Sequence, residues 1–527
     1  MATMQHDVLA LDDLGADELK EVEVGETKLL LARDGDRVFA TSAKCTHKGA
    51  PLKNGTRVGN SVICPWHHAI FDLKTGDHRE PPGQGCLARF TVSVEDGRIL
   101  VEVPGDAPSQ RPEVDPSSRK TGGDRVFAII GTGAAGLACA QELVRAGFDG
   151  RIVMIGTEGA PPYDRTDLSK AVLKGEKKPG ETVLVETDDL HELGIERVHA
   201  RVTRIEAGER LLVLEGRGAP TELHYDACFA APGSAAAELP MDNTDLPNVF
   251  VLRSIEDAKA LMDAVAVETE IAIVGSGFIG MEAAAALAGD KRSVTVITPE
   301  EVPFASKWGE KVGRQITEQH RSNGVTVKTG AKVASIDASD GMAWSVTTED
   351  GESVRTGLVL LGVGAKPNLD LFGDLAKDGK VPVDGSLKAS DGLWVGGDVA
   401  AFPLAGRDYS ARIEHWRVAE QHGRHAARAM LGDDKPFSGV PFFWSAQYGP
   451  IHYVGHAESY DDIHYLGDLS KGSYTAFYLK DGKVVAAIGR GEDDVTADLH
   501  AVMLTDPTPS AEALEGAGWR PKSLIRG

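Results

Sequence analysis

The sequence predicts a multidomain chain in which a small all-β module precedes a larger α/β region. Three observations carry this. The first hundred residues alternate short strands with Gly turns, a Pro-, Ser- and Gly-rich stretch without periodicity follows, and beyond it the pattern switches to strand, glycine loop and helix, twice over. At 527 residues the chain is too long for one core, and about 150 residues per domain suggests three or four domains.

In the front module, "LLLARDGDRVFATS" and "RFTVSVEDGRILVEV" set Asp-Gly pairs between alternating runs, which marks β-hairpins. Two loops lie between them, "CTHKGAPLKNG" and "ICPWHHAIFD". Cys45-x-His47 is followed, after sixteen residues, by Cys64-x-x-His67. Each loop offers one thiol and one imidazole, and a Rieske [2Fe-2S] centre takes two thiolates on one iron and two imidazoles on the other. Structural zinc prefers short Cys-to-Cys and His-to-His spacings, which are missing here. His68 stands one residue late and should leave the loop in another direction, so it reads as a neighbour of the ligands. Residues 1–105 thus resemble Rieske ferredoxins, with Cys45, His47, Cys64 and His67 as the ligands. High-potential relatives, as that resemblance implies, carry Ser and Tyr two and four residues after the second His, and a disulfide between the loops. Ala69 and Phe71 stand there instead and neither loop has a further cysteine, so the expected centre sits near the low end of the range, about −150 mV.

Residues 106–124, "DAPSQRPEVDPSSRKTGGD", read as an extended linker, and a coil of that length would reach about 25 Å. Composition fits a globular protein, with 42% hydrophobic and 26% charged residues. A net charge of −23 argues against nucleic acid and anionic membranes and suits a basic protein partner. The start has no basic or apolar leader and no run reaches about 18 apolar residues, so a cytoplasmic protein outside the membrane is expected. Five cysteines do not make a disulfide scaffold, and Cys86, Cys139 and Cys228 read as small buried hydrophobes.

Past the linker, "RVFAIIGTGAAGLACAQELVRAG" runs a strand into Gly131-x-Gly133-x-x-Gly136 and a helix, the dinucleotide-binding fingerprint. Glycines there let backbone amides approach a pyrophosphate, and Glu158, beyond the strand "RIVMI", suits a ribose. "EIAIVGSGFIGMEAAAALAG" repeats the design with Gly275, Gly277 and Gly280, which implies a second nucleotide site. Gly397-Asp398 in "GLWVGGDVA" closes a later strand of the first unit.

Five ordered stretches, "PPYDRTDLSK" (161–170), "LVLLGVGAKPN" (358–368), "GLWVGGDVA" (392–400), "RIEHWRVAEQHGRHAA" (412–427) and "PFFWSAQYG" (441–449), resemble the apoptosis-inducing-factor family and the FAD-containing ferredoxin reductases of oxygenase systems. With the front module, the match narrows to the Rieske-fused branch. The resemblance implies an FAD domain over 125–245 and 368–435, an NAD(P) domain over 246–367 and a C-terminal α+β domain over 436–527. It also implies that Asp398 binds the ribityl chain of FAD, that Arg165, Lys170, Glu414 and Trp416 contact the flavin, that Lys170 pairs with Glu282 near the flavin N5 edge, that Phe278 lies where nicotinamide stacks, and that Trp444 walls the ring. "AAPG" (230–233) replaces the usual Ala-Thr-Gly, and Thr298 stands where NADH-using relatives have Glu, leaving Glu300 or Glu301 to meet a ribose 2′-OH. No closely spaced cysteine pair follows the first fingerprint, so disulfide reduction lacks its chemistry.

A flavin exchanges a hydride for single electrons, which explains a Rieske module and two nucleotide units in one chain. The expected activity is that of an NAD(P)H-dependent FAD reductase, NADH preferred, which feeds its own Rieske cluster and then an unidentified acceptor protein, an oxygenase component or a cytochrome. The rival expectation is a redox-responsive NADH sensor of the apoptosis-inducing-factor kind. A homodimer is compatible with either.

Overall fold

The computed structural model describes residues 4–526. Its first unit is built on a six-stranded antiparallel sheet, ordered Met4–Ala10, Arg98–Val103, Arg89–Glu95, Arg37–Ser42, Thr27–Asp34 and Leu19–Val24. The expected hairpin Arg89–Glu95 to Arg98–Val103 turns on Asp96 and Gly97, whose φ angles of 47° and 74° are the left-handed pair that a two-residue turn requires. A smaller sheet, Thr56–Val58, Ser61–Ile63, Ile70–Asp72 and His78–Glu80, supports the two Cys/His loops.

The stretch expected to be a free linker is instead tied down. Gln110–Arg111 pairs with Cys86–Leu87, and Val114 enters the core of the next unit. The Glu113 carboxylate meets His78, at 2.9 Å, together with Arg145 and Arg424. Pro, Ser and Gly content reads as extension, but one half-buried carboxylate with three partners fixes the path.

Beyond it, the first fingerprint strand Val126–Ile130 lies in a parallel sheet between Arg151–Gly156 and Ala227–Ala230, with Leu393–Val395 returning beside Ala227–Ala230. Five strands from residues between 249 and 361 form a separate parallel sheet around Glu270–Val274. The final segment is α+β: five antiparallel strands, starting with Phe442–Ala446, carry the helix Asp493–Met503. Cys139 and Cys228 are buried in helix and strand as expected, and Cys86 is 6% exposed. Among the described residues no helix is long and apolar enough to cross a membrane.

The β module is fastened to the rest. Arg417, fully buried on the helix Trp416–Met430, donates to the carbonyls of Pro81 (2.7 Å), Val440 (2.9 Å) and His68 (3.4 Å). Arg424 reaches the His78 and Arg79 carbonyls, both at 3.1 Å. Thr56 donates to Asp498 at 2.6 Å, and Ile63 and Ile70 pack with Ala497 and Ala501. Burying a guanidinium costs several kcal/mol unless each N–H is matched, so this surface is specific and not an accidental contact.

Candidate redox site

The two ligand loops are near copies of one another. Cys45 N donates to Ala50 O and Gly49 N to Cys45 O; likewise Cys64 N donates to Ala69 O and His68 N to Cys64 O. The fourth residue after each cysteine is left-handed, Gly49 at φ 74° and His68 at φ 56°. His68 therefore occupies the place that glycine takes in the first loop, and its side chain turns away. Its Nδ1 lies 2.9 Å from His500 Nδ1, and its ring stacks on Phe442 with centroids 3.9 Å apart.

His47 and His67 instead point at each other, Nδ1 to Nδ1 at 3.0 Å. At ordinary metal–nitrogen lengths, about 2.1 Å, this separation lets both nitrogens bind one iron. Burial holds both imidazoles below their usual pKa, so they are in the neutral, ligating form. Cys45 and Cys64 are free, buried thiols, and the facing Cys64 with burial pushes Cys45 well up. Among the described residues no point gathers three or more His, Cys, Asp or Glu around one ion. Two thiols and two imidazoles, each pair converging separately, fit a dinuclear cluster.

A cavity of about 1350 Å³ runs beside these loops. Gly131 and Gly133 open onto it from the start of the helix Ala134–Arg145; a Cβ on Gly133 would meet nothing within 4 Å, and no side chain caps the helix. Uncapped amides with open approach fit a pyrophosphate. Gly136 lies behind the loop, where a Cβ would sit 1.9 Å from Gly131 O, and Gly280 repeats this against Gly275 O at 2.2 Å. Neither Gly136 nor Gly275, Gly277 and Gly280 lines the cavity.

Along the cavity wall several charged side chains are paired. Glu158 binds Arg165 and accepts from Tyr163 Oη at 2.6 Å. Asp398 pairs with Arg253 at 2.8 Å, and Glu414 with Arg412. Lys170 Nζ is 2.8 Å from Glu282, whose carboxylate also accepts from Ser169 and, at 2.7 Å, from Ser445. Phe278 lines the same space with Phe443 (4.9 Å between centroids) and Trp308 (5.3 Å), and Lys307 lies 5.3 Å over its ring. Trp416 opens its helix at the cavity. Trp444 lines the cavity too, and its ring stands 4.7 Å from that of His67 and 5.4 Å from that of His47. The second nucleotide loop is flanked by Thr298 and Glu300, whose oxygens lie 2.8 and 3.0 Å from Ser276 Oγ; Glu300 and Glu301 are both exposed. Glu300 does not line the main cavity.

Arg253, Trp308 and His500 carried no sequence signal, and Phe443 and Arg417 lay inside family-like stretches without being singled out. Asp164 lay inside a quoted motif, yet nothing local showed that its carboxylate approaches His47, at 3.9 Å.

Comparison with known proteins gives two family matches, pyridine nucleotide-disulphide oxidoreductase over residues 126–423 and the Rieske [2Fe-2S] domain over residues 4–91. The chain is 32% identical over 511 residues to mouse (Mus musculus) apoptosis-inducing factor 3, covering 94% of this chain and 83% of that protein. It is 32% identical over 373 residues to a ferredoxin–NAD(P)+ reductase from Sphingomonas, covering 68% of this chain and 87% of the relative. Among solved structures, the covalent putidaredoxin reductase–putidaredoxin complex superposes with a TM-score of 0.71 at 26% identity, over 76% of this chain and 99% of the matched one.

Proposed function

The chain belongs to the pyridine nucleotide-disulphide oxidoreductase family, carries a Rieske [2Fe-2S] domain ahead of it, and is an NAD(P)H-dependent, FAD-containing electron-transfer reductase; from this we propose that it passes electrons from NADH through FAD to its own Rieske cluster and on to an acceptor protein. An oxygenase component or a cytochrome suits the last place, in keeping with the ferredoxin reductases among its relatives. FAD accepts a hydride and releases single electrons, which a [2Fe-2S] cluster takes one at a time.

The residues have definite tasks in this reading. Cys45, Cys64, His47 and His67 hold the cluster. The amides at Gly131 and Gly133 hold a pyrophosphate, and Glu158 and Asp398 accept from ribose and ribityl hydroxyls. Lys170, oriented by Glu282, would present an ammonium to a flavin held in the cavity. Glu282 is itself held by Ser169 and Ser445, so the pair is fixed before substrate arrives. Phe278, Phe443 and Trp308 form an apolar face that shields the nicotinamide side from water. The N-terminus of the helix at Trp416, which opens on the cavity, would favour negative charge on a flavin bound there.

One observation carries the reading: Trp444 borders the cavity of Lys170 and the imidazoles of His47 and His67 at once. Rapid mixing with NADH, followed by absorbance and freeze-quench EPR, tests it. Flavin bleaching should precede appearance of the reduced Rieske signal, and a Cys64→Ser variant should still bleach. A cluster that stays oxidised while the flavin is fully reduced would overturn the route and favour the NADH-sensor alternative.

A further inference from the structure

The first ligand histidine has a charged neighbour that its own domain does not supply. Asp164 belongs to the segment 163–170, whose Arg165, Thr166, Ser169 and Lys170 line the flavin cavity. Its two oxygens face in different directions. Oδ1 accepts from Thr166 N at 2.9 Å and Thr166 Oγ1 at 2.6 Å, which closes the turn. Oδ2 is aimed at the β module, 3.9 Å from His47 Nε2 and 3.8 Å from Lys48 Nζ. Lys48 is drawn further off by Asp167, at 2.6 Å, which Lys177 also binds. The Asp164 side chain is 4% exposed and that of His47 1%, so water screens this approach little.

We propose that Asp164 is a positioning and charge-setting residue for the cluster, acting through His47 to lower its reduction potential, and that the low potential is a property of the β module docked on the flavin segment. The physical argument is brief. Reduction adds one electron to the cluster, and a fixed negative charge beside the outer nitrogen of a ligand opposes that addition. Carboxylates placed behind ligand imidazoles also make the ligating nitrogen more basic and favour the oxidised metal. The arrangement deepens the function proposed above and rests on its ligand set. It also gives the flavin-binding segment two duties, since Lys170 and Asp164 are six residues apart.

The test is an EPR-monitored redox titration of the full-length protein. Asp164→Asn should shift the midpoint to a more positive value, with cluster content and the rate of flavin reduction by NADH unchanged. Asp164→Glu, which keeps the charge, should return it towards wild type. An unmoved midpoint in Asp164→Asn overturns the proposal, as does an equal shift in both variants, which would mean a loosened turn and not a charge. If Asp164→Asn fails to hold a cluster, Asp164→Ser decides, since a hydroxyl can still accept from Thr166 N without a charge: the midpoint should again move in the positive direction, and an unmoved midpoint or a negative shift overturns the proposal. An error in the ligand set would appear separately, as a Rieske EPR signal that survives in His47→Ala.

Discussion

Trp444 and His67 stand with ring centroids 4.7 Å apart and planes inclined at 48°. The tryptophan comes from the strand Phe442–Ala446, nearly four hundred residues beyond the histidine, and its far side borders the flavin cavity. Removing it lengthens the path between the two redox sites by the width of an indole. In Trp444→Ala, flavin reduction by NADH should keep its rate while cluster reduction slows about tenfold or more, an added barrier of about 1.4 kcal/mol. Stopped-flow traces at the flavin and cluster bands measure both, and equal rates for cluster reduction in the two proteins would remove Trp444 from the route.

The paired histidines of the second loop should separate cleanly. His67→Ala is expected to abolish the Rieske EPR signal. His68→Ala should retain it but lose about 1–3 kcal/mol of stability, because the fully buried His500 is left without its partner. Thermal melts of both variants alongside EPR check this, and loss of the signal in His68→Ala would reverse the assignment.

Cofactor choice is expected to turn on Glu300, which sits beside the second glycine loop through Ser276. NADH should be preferred over NADPH, since a 2′-phosphate would meet a carboxylate. Glu300→Gln should lower kcat/KM for NADH about tenfold, in line with the roughly 1.5–3 kcal/mol of a hydrogen bond to a charged group, and should leave NADPH unaffected or improved. Steady-state kinetics with both nucleotides decide, and better kcat/KM with NADPH in the wild type would refute the preference.

Acid should release the flavin before it dissolves the cores. His422 Nδ1 accepts the Gly397 N–H at 3.1 Å, so it must be unprotonated to hold the Gly397-Asp398 turn. Burial, with His425 nearby, lowers it to about 3, and burial lowers His415 to about 3 as well. Both have folded values below the unfolded one, near 6.5, so the unfolded chain binds more protons below that pH. Stability is therefore full above about pH 6.5 and falls as the pH drops towards 3, by about 1.4 kcal/mol per unit for each group. Asp493, raised to about 6 by burial and by Asp494, works with the opposite sign between pH 6 and 4 and offsets part of the loss. Melting temperature and free-FAD fluorescence between pH 7.5 and 4.5 should show a falling midpoint with early flavin loss; a flat profile would contradict it.

Much of this site could be read from the sequence because its rules are local. Cys45-x-His47 and Cys64-x-x-His67 are short loops, and the fingerprints put strand, glycines and helix within a few residues of one another. Lys170 and Glu282 were paired only through the family resemblance. What stayed hidden depends on segments distant in the chain. The linker composition spoke of extension, yet Glu113 finds His78, Arg145 and Arg424 on three separate elements. His68 was set aside for its spacing, but that it fills a left-handed position, and finds a partner in His500, follows only from the folded loops. Nothing local in the sequence separates Asp164 from the other acids of its stretch, because its approach to His47 joins two distant segments.

Arg417 binds carbonyls from both sides of the junction between the β module and the rest of the chain. Anyone who cuts the gene in the 106–124 region to obtain a free-standing reductase would thereby take from Arg417 its Pro81 and His68 carbonyl partners and strip the helix Trp416–Met430 of its covering. The product would be a sticky fragment needing a replacement lid. The two halves are thus better regarded as one inheritance unit, to be recombined only together with the arginine that joins them.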